Sequence, residues 1–500
     1  MIFKNILDTF RVPGAYIEID GSMAGLNSSS VPNLLLVGQK LAVGTAPAGE
    51  ISFISSLADA IAKTGSGSML AQMAARFYAI NPMLNLYLLP FSDNATGLAA
   101  TATLTVAQPT TADWGTMSLY IAGQLIAVSV TSTMTTADIA TALQTAIDSV
   151  SSNNLCVTSA VVGSVLTLTA KHKGVCGNAI DVRLNALPQD KTPTGLVVNI
   201  TGFAGGTLVP TAISADSIAA IFDNDDSGFL NVPSKYIALG MNDPASLVAF
   251  HAESQRRYAP PLQSGFRAFT AFNGAYSDAY SFGASKNYEH ICCVAMNHGL
   301  TSVWETAAIV AATACPAMYE SPVVSLEGLA LKGLQIAQPF TFNQANALLF
   351  QGMSLIQKSR DGACSIKRLI SMYLHRADDS LDDAFLDINT TEVLERIRYE
   401  QRIGAIQRFT GTAAAKNNEG YRPGLRITTT DDVIAFLLTM YREKLMHEKG
   451  WVQDYAFYKN NLIVEQDPTN PSRFNYQDTP VILSPFYILA GQAQFRKVAN

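Results

Sequence analysis

The chain has 500 residues, 48% of them hydrophobic and only 15% charged, with a formal net charge of -6 and a pI near 5.6. That length buries more than one hydrophobic core and suggests about three domains, while a charged fraction below the roughly 25% of an ordinary soluble domain implies a surface partly covered by partners. The acidic balance lacks the basic footprint that neutralises phosphates, which argues against nucleic acid as a primary ligand. No apolar run approaches the roughly 18 residues of a membrane-spanning helix. Residues 1–10 contain Asp8 and lack a signal peptide's apolar core, so a soluble chain made in the cytoplasm is expected.

In chain order, residues 11–20 place Tyr16 and Glu18 on one face of an extended strand and Ile17 and Ile19 on the other, ahead of a loose Gly/Ser stretch. A strand set apart in this way reads as an arm rather than a core element. A compact region begins near Asn33 and continues with a helix around residues 67–80 and a strand over 84–89. From about Thr96 to Pro210 the composition shifts to Thr, Ser, Ala and Val, as in an inserted β-rich domain. Its strands alternate over 101–106 and over 117–130 across a turn at Ala122-Gly123. Thr135 with Asp138 forms a capping-box signature before Ile139, Leu143, Ile147 and Val150 at helical spacing. Further strands are expected over 157–170 and 180–184.

The next stretch alternates strand and helix: strands over 235–239, 266–271 and 291–296, helices over 245–258, 278–286 and 303–315. Such alternation predicts a parallel sheet covered on both faces. The strand at 291–296 carries Cys292 and Cys293, read as inert core thiols because the six cysteines form no CxxC pair. Asn389 with Glu392 is read as the cap of one later helix. Thr429 with Asp432 opens another that runs to Gly450, with Lys444, His447 and Lys449 suiting its C-terminal dipole. The chain then ends in a second apolar, strand-like segment holding Phe486, Ile488 and Phe495.

Chemical signatures are sparse. No Walker A sequence, HExxH, GxGxxG or zinc-spaced Cys/His cluster occurs, so no cofactor, metal or catalytic residue is assigned. The six histidines are scattered, with His290 and His298 flanking a strand. Residues 223–228 carry oxygen ligands at calcium-loop spacing, but the twelfth position is Ser234 where an EF-hand needs Glu, and a polar turn is preferred. Asp378, Asp379, Asp382 and Asp383 read as a solvated face or as the counterpart of a partner's basic patch. A soluble hydrolase with a subtilisin-like α/β core is the enzyme alternative, through Gly21-Ser22-Met23-Ala24 or Gly67-Ser68-Met69. Both serines lie far upstream of His298-Gly299, the reverse of the order in subtilisins.

Val12-Pro13-Gly14-Ala15-Tyr16-Ile17-Glu18 resembles the VPGVYVE-like start of Mu-like contractile phage tail sheath proteins. Similar segments recur in order at residues 34–39, 67–71, Ala170-Lys171-His172-Lys173-Gly174, Gly177-Asn178, Arg256-Arg257-Tyr258 and Gln494-Phe495-Arg496. The resemblance implies a structural, non-enzymatic subunit of the virion tail, assembled in the host cytoplasm. Subunits would stack as hexameric rings in a helical sheath around the tail tube protein, between the baseplate and the tail terminator, with no direct nucleic acid and no small-molecule substrate. It also implies a subtilisin-like α/β layer, and terminal arms that add as strands to neighbours. The expected division is an N-terminal arm at 1–30, a first core part at 31–95, the inserted β-rich (α+β) domain at 96–210, the subtilisin-like α/β layer at 211–365, a C-terminal α/β domain facing the tube at 366–480, and a C-terminal arm at 481–500. Val12, Pro13, Gly14, Tyr16, Ile17, Ile19, Phe486, Ile488 and Phe495 are the expected inter-subunit arm residues.

Overall fold

The structure is a computed structural model and describes residues 32–81, 84–109, 114–151, 154–422 and 424–495. Leu34, Leu35, Leu36 and Val37 of β1 (Asn33–Lys40) are all fully buried. A run apolar on both faces suits the centre of a covered sheet and no strand with a wet face. β2 (Ser52–Ile54), α1 (Leu57–Thr64), α2 (Met69–Ile80) and β3 (Asn85–Ser92) follow, and β3 lies parallel to β1 in unbroken register from Asn85 opposite Asn33 to Ser92 opposite Lys40.

The segment expected to be β-rich holds β4 (Ala99–Pro109), β5 (Gly115–Ile121), β6 (Gln124–Val130), α3 (Thr136–Ser151), β7 (Val157–Val162), β8 (Val165–Lys173), β9 (Val182–Leu184) and β10 (Leu196–Ala204). They form two antiparallel sheets, ordered β10-β4-β8-β7 and β6-β5-β9. The β5–β6 hairpin turns on Ala122 and Gly123, both at positive φ (49° and 76°), as a two-residue primed turn requires. Thr135 and Asp138 cap α3 reciprocally, at 2.8 Å and 3.2 Å, and Ile139, Leu143 and Ile147 are buried along one stripe.

After α4 (Ala215–Asp223), strand and helix alternate as expected: β11 (Lys235–Leu239), α5 (Pro244–Tyr258), β12 (Arg267–Gly274), α6 (Tyr276–Ala284), β13 (Ile291–Asn297), α7 (Val303–Glu320), α8 (Phe342–Leu349), β14 (Met353–Lys358) and β15 (Cys364–Arg368). One eight-stranded sheet, β15-β14-β13-β12-β11-β1-β3-β2, joins these strands to β1–β3. Its six inner strands are parallel, and the two edges, β2 and β15, are antiparallel. The fold is a mixed α/β one. Cys292 and Cys293 sit fully buried in β13, and burial pushes the Cys292 thiol up to about 12, which leaves it protonated and inert.

The remaining chain contains α9 (Ile388–Phe409), β16 (Ala413–Ala414), β17 (Ile427–Thr428), α10 (Thr430–Thr439), β18 (Val452–Gln453), α11 (Tyr455–Asn461), β19 (Ile463–Gln466), β20 (Phe474–Gln477) and β21 (Val481–Ile482). It has its own small core of Val393, Ile397, Met440, Tyr441, Leu445, Trp451, Val452 and Tyr458. Two expectations are corrected here. The cap of α9 is Asp387, because Asn389 lies inside the helix and spends its amide on the Pro322 carbonyl at 2.6 Å. The α-helix capped by Thr429 and Asp432 ends at Thr439 and passes into a π-helical stretch, Met440–Glu448, before Gly450.

Where the two antiparallel sheets meet the large sheet, the contact is polar and specific. His172, on β8, accepts a hydrogen bond at Nε2 from the Met69 N–H (2.9 Å) and presents Nδ1 to Asp93 (2.8 Å), which also accepts from Gln39 at 2.7 Å. Gly67, at φ 81°, lets this corner close, since a Cβ there would stand 2.3 Å from the Leu155 carbonyl oxygen. His172→Ala strands a buried helix N–H without an acceptor. It is expected to cost about 1–3 kcal/mol, visible as a lower urea midpoint at unchanged m-value.

Candidate assembly surface

The positions singled out for chemistry are occupied by structural bonds. Ser68 is buried as the cap of α2, where its Oγ accepts from the Ala71 N–H (3.0 Å) and donates to Thr64 Oγ1 (3.0 Å). The neighbouring Asp93–His172 pair ends on a backbone N–H, not on a nucleophile, so it has no hydroxyl to activate. Ser22 lies outside the described residues. In the calcium-like loop, Asp223 accepts from Arg256 and Arg257 at 2.8 Å each, and Asp225 folds back on the Ser227 N–H at 2.9 Å. Among the described residues no group of three or more His, Cys, Asp or Glu side chains could hold a metal ion, and no helix is long and apolar enough to cross a membrane.

Surface of another kind gathers at the C-terminal end. β21 pairs with β18, with Ile482 opposite Val452, and the Tyr441 hydroxyl bridges them by donating to the Gln453 carbonyl (2.5 Å) and accepting from the Val481 N–H (3.2 Å). The Leu483 N–H reaches the Trp451 carbonyl at 2.9 Å. Residues 484–495 then run without regular structure, and Phe486, Ile488, Leu489 and Phe495 are 73–86% exposed. Four large apolar side chains so open to water within ten residues are a patch that wants a cover. Tyr487, between them, turns inward: the Arg368 guanidinium lies 4.6 Å from its ring, and burial together with the Asp387 charge raises its phenol well above the ordinary value.

Close by in sequence, β19 and β20 make a two-stranded sheet, with Ile463 opposite Gln477 and Gln466 opposite Phe474. Its turn is held by Asp467, which accepts from the Thr469 N–H (2.8 Å) and hydroxyl (2.7 Å). No other described strand pairs with its outer edges. An isolated hairpin is marginal, and open edges are templates for a further strand.

Elsewhere in the body, α9 is joined to the large sheet by buried charge. Arg267, at the start of β12, donates to Glu395 (2.8 Å) and to the Thr391 carbonyl, and lies 3.8 Å from Glu392. Glu392 accepts from Arg396 (2.8 Å) and Tyr236 (3.1 Å), and Glu395 also accepts from the Gly265 N–H (2.6 Å).

One relative matches over the full length. The chain is 29% identical over 497 residues, covering 99% of each, to the Mu-like prophage FluMu tail sheath protein of Haemophilus influenzae. The chain is similar to that tail sheath protein along its whole length. No family model matches it. Among solved structures it is similar to the sheath tail protein of Desulfitobacterium hafniense (15% identity, TM-score 0.46, covering 94% of this chain and 100% of that one). It is also similar to the anti-feeding prophage helical sheath in its contracted state (12% identity, TM-score 0.49, covering 98% and 100%).

Val12, Pro13, Gly14, Tyr16, Ile17 and Ile19 lie outside the described residues, while Phe486, Ile488 and Phe495 stand on the exposed terminal segment. Sequence reasoning missed the β19–β20 hairpin, although residues 467–471, rich in Asp, Pro and Asn between two short alternating runs, are a hairpin signal. It also missed the inward turn of Tyr487 and the Arg267 cluster. A lone arginine leading an apolar strand was the only hint of that cluster.

Proposed function

We propose that this chain is the repeating subunit of a contractile tail sheath, a structural and non-enzymatic protein of the virion. It polymerises with itself as hexameric rings around a tail tube, between baseplate and tail terminator, and shortens to drive the tube through the host envelope. The observation that carries this reading is an exposed apolar terminal segment leaving a body whose neighbouring hairpin has open edges, in a chain of sheath ancestry along its whole length. A segment of one subunit added to the sheet of another gains main-chain hydrogen bonds and covers its apolar side chains. Contacts that repeat without closing then build a helical tube.

In this reading residues 1–30 and 481–500 are linking arms, and 96–210 is an inserted domain interrupting the core begun by 31–95. Residues 211–365 are a subtilisin-like layer without catalytic chemistry, and 366–480 face the tube. Contraction is a passage between two packings of the same subunits, the extended one kinetically trapped and the contracted one lower in free energy. The purified chain is expected to form tubes visible by negative-stain electron microscopy. A species that stays monomeric at high concentration and moderate salt contradicts the reading.

A further inference from the structure

A cavity of about 240 Å³ opens beside the N-terminal ends of β11 and β12 and the middle of α9, lined among others by Lys235, Ser264, Glu395, Arg398, Tyr399 and Arg402. Its charges do not balance internally. Glu395 is already held by Arg267 and the Gly265 N–H. Arg402 touches only the Tyr399 ring, at 5.7 Å, and pairs with no carboxylate among the described residues. Arg398 donates from Nη1 to the Tyr258 carbonyl (2.6 Å) and lies 4.4 Å from the Tyr258 ring, while its buried Nη2, 3.6 Å from Glu395, makes no hydrogen bond. Lys235 donates to the Val232 carbonyl at 2.9 Å, and burial lowers it to about 8, so it is still cationic at neutral pH. Three cations around one spoken-for carboxylate make a hole suited to an anion.

The same chain carries a matching projection. His375 and Leu381 bridge across an antiparallel turn closed by Arg376 N–H to Ser380 carbonyl and Asp379 N–H to Arg376 carbonyl bonds, both 3.0 Å. Asp378 is fixed by the Ser380 hydroxyl (2.6 Å), and residues 376–381 are all exposed. Of the four aspartates noted in the sequence, Asp382 alone is ion-paired among the described residues, to Arg376. Asp378, Asp379 and Asp383 keep uncompensated charge on a hairpin held in shape before any partner arrives, which lowers the ordering cost of docking.

We propose that this cavity receives the acidic hairpin of a neighbouring copy of the chain, with Asp378 and Asp379 entering against Arg398, Arg402 and Lys235. The inference rests on the self-assembly reading above. Copies with a net charge of -6 repel one another, so a stable lattice has to set local opposite charges face to face. Hole and projection are different surfaces of one chain, as a head-to-tail contact requires.

The test is a charge exchange, followed by light scattering and sedimentation of the full-length chain at low and moderate salt. Arg402→Glu and Asp379→Lys alone are each expected to slow assembly about tenfold or more with unchanged thermal midpoints. Arg402→Gln, the milder substitution, should show a smaller defect, and the Arg402→Glu/Asp379→Lys double variant should return to within about threefold of wild type. Either single reversal assembling at the wild-type rate overturns the contact, as does a double variant no better than the singles. A defect confined to Arg402→Glu means that another anionic partner fills the cavity, and that too overturns the proposal. In all three cases wild-type tubes leave the sheath reading standing, whereas a wild-type chain that never assembles overturns both.

Discussion

Removing residues 486–500, or residues 1–20, is expected to leave a folded subunit that no longer builds connected tubes. The C-terminal truncation spares the β18–β21 pairing, the Tyr441 bridge and the Leu483–Trp451 bond. Its intramolecular loss is centred on Tyr487 and the Arg368 cation–π contact, worth about 0.5–1 kcal/mol where solvent reaches it. On the proposed docking to neighbouring subunits, the loss between them is expected to be far larger. Each main-chain bond of an added strand contributes about 0.5–1.5 kcal/mol, and covering Phe486, Ile488, Leu489 and Phe495 adds about 1.5–3 kcal/mol for each side chain fully buried, repeated at every lattice point. Proline is the sharper probe. Ile488→Pro or Ile17→Pro deletes a backbone donor and clashes with ladder geometry, so each should impair polymerisation more than alanine at the same position. The thermal midpoint of the monomer should barely move. Truncated chains that form normal tubes would remove the arms from the account while leaving the sheath reading intact.

Arg267→Ala is expected to be the most destabilising single change in the body. Arg267 is 1% exposed and faces Glu395 and Glu392. Deleting one member of such a cluster leaves buried charge uncompensated, at about 3–5 kcal/mol. An Arg267→Met/Glu395→Met variant should recover part of that loss, because two apolar side chains need no counter-charge, although the Gly265 N–H then loses its acceptor. The same cluster sets a pH dependence. Burial by itself would raise Glu392, but the Arg396 and Arg267 guanidiniums outweigh it and hold the carboxyl below its usual range. A carboxyl depressed in the folded state contributes stability that is fully present above its unfolded value of about 4.3. That contribution is lost as pH falls through the folded value. Resistance to urea should therefore fall on acidification below about pH 5, and Glu392→Gln, lower in stability at pH 7, should show a shallower acid limb. A wild-type stability flat from pH 7 to pH 3 contradicts this role for the cluster.

The large sheet was legible in the sequence because its strands are apolar on both faces, and α3 beside the antiparallel sheets because it carries a local cap. Leu34 to Val37, the Ile291 to Met296 run and the Thr135–Asp138 box each state their structure within a few residues. What escaped depended on distant partners. Asn389 has the look of a cap, yet its amide serves carbonyls 65 and 67 residues away, so the helix begins earlier, at Asp387. His172 resembles a scattered histidine until β8 brings it to the N-terminus of α2, 103 residues back in the chain. The apolar run at residues 486–489 suggests a strand, yet residues 484–495 have no regular structure within the chain, and the inward turn of Tyr487 depends on Arg368 and Asp387, a hundred or more residues away.

The most direct test of the central claim is a helical reconstruction of the assembled chain at a resolution that traces the backbone. The account predicts that residues 12–19 and 486–495 are seen as strands hydrogen-bonded to neighbouring subunits, with the bodies themselves keeping the fold described above. Tubes in which both terminal segments pair only within their own subunit would contradict it.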